Sequence, residues 1–129
     1  LVSIRYALPV AVFDQRAVVG GTSVRLAHGG EHWGDLGGSQ TEHPEPGEVI
    51  FSDDDERVSA RRWCWRQSRA SAAREDTTEV LITVEGHHAS AADDVDRALR
   101  DLEALLGSYA SPAPVYAEVL DATHPAFSR

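Results

Sequence analysis

The sequence predicts an α+β domain, and three observations carry that expectation. Short β-prone runs recur through residues 9–84 between Gly, Pro and Asp punctuation. A later segment, residues 90–106, switches to helical spacing. The strands precede the helix instead of alternating with it, which favours mostly antiparallel or mixed β layers packed by a C-terminal amphipathic helix over βαβ units.

Pro9 to Asp14, PVAVFD, is short, β-prone and bounded by Pro and Asp, the pattern of a mostly buried strand. Residues 22–27, TSVRLA, alternate so that Val24 and Leu26 are expected on the inner face and Arg25 on the outer one. Four Gly and two Pro between Trp33 and Gly47 predict a loop. Glu48 to Ser52 resumes β character, Asp53 to Glu56 is a solvated turn, and Val58 to Arg62 is the returning strand of a hairpin. Residues 67–76 are small and polar, an exposed loop, and Thr77 to Val84 is the strongest strand pattern in the chain.

Ser90 is placed as an N-cap, with Asp93 and Asp94 in the first turn where the helix dipole favours anions. Val95, Leu99, Leu102 and Leu106 then form one apolar stripe, and Gly107 is the expected stop. The division is a domain portion over residues 1–108 and a Pro-containing tail over 109–129, with Pro112, Pro114 and Pro125 and no period. The chain opens on Leu1-Val2-Ser3-Ile4 inside an apolar stretch, so an N-terminal part of the domain is expected to be missing.

The formal charge is −9, and all twelve basic residues are Arg. Such a surface repels a phosphate backbone, so DNA and broad nucleic-acid binding are not expected, although a local Arg cluster can hold one end of a tRNA. No apolar run approaches the roughly 18 residues of a spanning helix, so no membrane partner is expected. The single Cys64 makes no internal disulfide, which points to a reducing cytoplasm, and between two Trp it reads as a small buried apolar group.

His28 and His32 would share a face only on a helix, and Gly29-Gly30 between them argues for turn histidines and against a metal site. The Gly doublets are turns and not phosphate loops, so no cofactor is expected. The segment Arg61-Arg62-Trp63-Cys64-Trp65-Arg66-Gln67 is different. On a strand its two indoles point to one side, with guanidinium groups flanking them, an arrangement that stacks a ring and holds a carboxylate or phosphate. By residue chemistry alone, two Trp on one strand face are more usually core indoles, with Arg beside them as packed salt-bridge partners.

Five ordered segments, SIRYALPVAVFD, VRLAHGGEHWGDLGG, PGEVIFSDD, ARRWCWRQS and EDTTEVLITVEG, resemble the second half of the B3/B4 domain of the phenylalanyl-tRNA synthetase β subunit. In particular they are similar to small stand-alone proteins built on that domain, which share R-W-x-W-R-Q. The resemblance covers residues 1–106. In the synthetase that domain hydrolyses tyrosine wrongly attached to the phenylalanine tRNA.

The resemblance therefore implies a trans-editing aminoacyl-tRNA deacylase, a non-catalytic relative that binds an amino acid or the tRNA 3′ end, or an inactive truncated remnant. Asp14, Arg62, Trp63, Trp65, Arg66 and Gln67 are the implied substrate-binding residues; Asp14 also reads as an ordinary strand-ending turn residue. Pro9, Phe13 and Asp14 match the family strand, but the synthetase His falls on Ala11 and a synthetase Glu falls among Ser71, Ala72 and Ala73. No catalytic residue is assigned for that reason. If the first half of the domain is absent, exposed strand edges imply a second copy as partner.

Overall fold

The computed structural model describes residues 1–110 and 114–128, so Pro112 of the tail lies outside the described residues. Two compact units emerge, one formed by Val10–Thr83 and the other by Leu1–Pro9 with Val84–Arg129. No helix among the described residues is long and apolar enough to cross a membrane.

The Val10–Thr83 unit is built on β structure. Strand β1, Val10–Asp14, pairs with β6, Val80–Val84. Between them in sequence, β2 (Ser23–Leu26), β3 (Val49–Ser52), β4 (Val58–Arg61) and β5 (Arg66–Gln67) form an antiparallel four-stranded sheet in the order β2-β3-β4-β5. Period-two alternation along β3 and β4 sends Phe51 and Ala60 to one face and Ile50 and Arg61 to the other.

Each face therefore owns a core. Ala11 and Phe13 of β1 cover Phe51 and Ala60, with the two Phe rings tilted at a centroid distance of 6.0 Å. Cys64 and Leu81 pack against the same cluster, so the small apolar reading of Cys64 fits its half-buried place. On the opposite face Ile50 and Val58 meet Ala27 and Trp33.

Three expectations are corrected in this unit. Val24 and Leu26 are not inward-facing: they are 55% and 64% exposed, because β2 is the outermost strand and β1 covers the sheet over Phe51 and Ala60. Arg25, the side chain expected outside, turns instead to the fully buried Glu31. The loop after residue 32 is a loop, but it carries Trp33 into the core, fastened by an antiparallel bridge in which Trp33 and Glu42 exchange backbone bonds of 2.9 and 2.7 Å. Ser68 and Ser71 of the expected exposed loop are buried as well, at 2% and 3%, with Asp35 bridged to Ser68 and Asp14 N donating to Ser71 O.

In the other unit, α1 (Val2–Tyr6) is a short helix where only an apolar stretch was expected, closed by Ala7 in the left-handed region at φ 53°. Helix α2, Ala91–Tyr109, begins at the expected Ser90. The Ser90 hydroxyl bonds the Asp94 carboxylate at 2.9 Å and not a backbone N–H. The helix runs two residues past Gly107, whose helical backbone carries a glycine at modest cost. Arg5 and Tyr6 of α1 both donate to Asp101 of α2, at 2.7 and 2.8 Å.

Candidate functional site

β4 ends at Arg61 and β5 begins at Arg66, and these two residues face each other across the hairpin. The four residues between them must therefore reverse the chain. Arg62 and Trp63 do so in the left-handed region, at φ 53° and 60°, unusual for non-glycine residues and typical of tight reversals. Trp63 N donates to Val49 O at 3.1 Å, and Trp65 N to Arg62 O at 3.3 Å.

The indoles consequently stand on a turn and not on a strand, which corrects the alternating-strand picture of this segment. Cys64 tucks toward the Phe13 and Phe51 cluster, while Trp63 is 44% and Trp65 85% exposed. The alternation that imitates a strand instead separates one inward thiol from two outward rings.

Guanidinium groups brace this turn from below. Arg61, almost fully buried, takes Glu48 in a two-point contact at 2.9 Å for each bond, and Arg62 Nε donates to the same carboxylate at 3.1 Å. Burial works to raise the Glu48 pKa, but the Arg62 and Arg61 hydrogen bonds outweigh it and hold the carboxyl below its ordinary value. Arg66 pairs with Asp35 at 2.6 Å. Arg61 and Arg66 both lie over the Trp33 ring, at 5.0 and 4.7 Å from its centroid.

The expected site residues therefore fall into three places. Arg62, Trp63 and Trp65 form the exposed turn. Arg66 and Gln67 follow it on β5 and diverge, Arg66 toward Trp33 and Gln67 toward β1, where Nε2 donates to Val12 O at 3.4 Å. Asp14 sits at the end of β1, where Oδ1 accepts from Arg16 N and Nε and Oδ2 accepts from Arg16 and from the Thr77 hydroxyl at 2.7 and 2.9 Å. The Arg16 side-chain bonds, then the Thr77 bond, hold this carboxyl far below the usual range against the opposing effect of burial.

A concavity that sequence reasoning missed opens beside Trp33. This cleft, about 500 Å³, is lined in part by Trp33, Arg57, Ser59, Ser68, Arg69 and Ser71, and none of the six expected residues borders it. A run such as SRAS in a polar segment has no period to announce burial, which here comes from bridges to distant backbone.

No curated protein matches the chain. The family profile described as B3/4 domain matches residues 1–103, through β6 and most of α2. Since that match takes in the hairpin, its indole turn and both cores, the chain belongs to the B3/4 domain family.

Proposed function

We propose that this domain recognises the aminoacylated 3′ end of a tRNA through the turn at residues 62–65. The observation that carries the reading is a pair of exposed indoles on a turn whose arginines are braced on Glu48 and Asp35. An exposed ring offers a stacking face to a terminal base, and such stacking contributes about 1–3 kcal/mol per base. Membership of the B3/4 family supports the tRNA end as the partner over an unrelated flat ligand.

Recognition without turnover is the form the geometry supports best. A side chain that accepts a proton near neutral pH speeds hydrolysis of an aminoacyl ester. Asp14, the carboxylate of the first family motif, has both oxygens committed to Arg16 and Thr77 and a strongly depressed pKa, which makes it a weak base.

Two measurements on the intact chain test both halves. In a titration with tRNA carrying a stable amide-linked amino acid, saturable binding weakened about fivefold or more by Trp65→Ala is expected. In a deacylation assay with several mischarged tRNAs, ester loss at the spontaneous rate is expected. Absence of binding sinks the proposal, and turnover above background that disappears in Asp14→Asn replaces it with a trans-editing hydrolase.

A further inference from the structure

We infer that the cleft beside Trp33 binds a small organic carboxylate at a site separate from the indole turn. Its volume of about 500 Å³ lies within the roughly 300–1,000 Å³ of small-molecule pockets. Two of its lining residues bring polar atoms that the protein itself leaves unsatisfied. Trp33 and Ser71 are 1% and 3% exposed, yet the Trp33 indole N–H and the Ser71 hydroxyl have no hydrogen-bond partner among the described residues. A buried donor in that condition is costly until an acceptor reaches it. Both atoms are covered in this conformation, so engagement involves a rotamer change at Ser71, whose hydroxyl is the mobile group of the two.

Charge selects the kind of acceptor. Arg69 borders the same cleft, and its side-chain bonds go to the carbonyl oxygens of Gly38 and Ser39, with no carboxylate partner among the described residues. Gly34 makes room for it: a Cβ at that position would lie 3.2 Å from Arg69 Cζ and Nε, while Arg69 N donates to Gly34 O at 2.9 Å. In a chain of net charge −9, one guanidinium bordering this cleft thus donates its side-chain bonds to carbonyl oxygens.

The other cation of the rim, Arg57, already faces Asp55 at 3.2 Å. One uncompensated positive charge balances one negative charge, and the Asp55 carboxylate disfavours a second. A planar carboxylate also matches the guanidinium fork. Ala17 and Val58 with the Trp33 ring supply apolar wall for the body of the molecule.

The inference is independent of tRNA recognition, and its experiment keeps the two apart. The full chain with Trp63→Phe and Trp65→Phe retains Trp33 as its one indole, since the sequence holds three Trp. Titration of this variant with 3-phenylpropionate is expected to give a saturable change in Trp33 fluorescence, whereas the neutral amide 3-phenylpropanamide gives none. Arg69→Gln is expected to weaken the carboxylate at least tenfold. Ser71→Ala is expected to raise the Tm of the chain alone while reducing the Tm shift produced by 3-phenylpropionate, two changes of opposite sign that a merely structural serine would not combine.

Three results would overturn the assignment. One is no saturable response to 3-phenylpropionate or benzoate below about 10 mM, weaker than any useful site. The others are equal affinity for inorganic phosphate and undiminished binding in Arg69→Gln. Carboxylate binding seen as a Tm shift in the unsubstituted chain but lost in the double Trp variant would place it on the turn, and would equally end the proposal.

Discussion

Glu31 illustrates how single side chains set the stability of this domain. Its carboxylate is fully buried and accepts from the Arg25 guanidinium and from the backbone N–H groups of His28 and Gly29, the latter two at 3.0 and 2.9 Å. Burial alone would raise its pKa, but the bonds from His28, Arg25 and Gly29 prevail and lower it to about 2. A folded-state pKa below the unfolded one means the contribution is complete above the unfolded value near 4.5 and is lost as pH falls toward about 2. Glu31→Gln is expected to destabilise the chain by about 3 kcal/mol at pH 7 and to flatten the pH dependence of urea unfolding across that window. Trp65 is the opposite case. At 85% exposure, Trp65→Ala is expected to leave unfolding free energy within about 0.5 kcal/mol of the parent while removing roughly 1–3 kcal/mol of affinity for the tRNA end.

Among the elements, α1 ends on a residue that is poorly suited to its backbone. Ala7 occupies the left-handed region at φ 53°, and Ala7→Gly is expected to stabilise the chain by about 1 kcal/mol, read as a higher urea midpoint at unchanged slope. Strand β2 leaves Leu26 exposed on a sheet edge, and Leu26→Lys is expected to raise the concentration at which the purified chain aggregates without lowering Tm. Strands β1 to β4 and β6 were legible because Gly, Pro or Asp punctuates the runs around them, and α2 was legible because Val95, Leu99, Leu102 and Leu106 keep one period over about three turns. A five-residue helix such as α1 has too little length for a period to register. The candidate site was legible in composition and misread in geometry. The W-x-W spacing imitates strand alternation, whereas two left-handed residues make it a reversal. Trp33 and Ser71 escaped notice because backbone bridges from remote residues bury them.

For the whole molecule, a net charge of −9 constrains any encounter with RNA. Arg61, Arg62 and Arg66 are opposed by Glu48, Glu42 and Asp35, so the neighbourhood of the turn carries little excess positive charge. Recognition through stacking, with about one phosphate neutralised, predicts a slope near −0.7 in log K against log salt for the single-stranded end. A slope several times steeper would indicate backbone contacts along the tRNA body. Glu48 has a wider consequence than its place beneath the turn implies. One carboxylate is shared between a guanidinium sealed in the interior and another at the surface, so it rivets an outward loop to the aromatic centre of the sheet. Losing that anion would blunt the display of the rings and slacken the packing over Trp33 in the same step, and only another negative group within reach of both arginines could restore the two together.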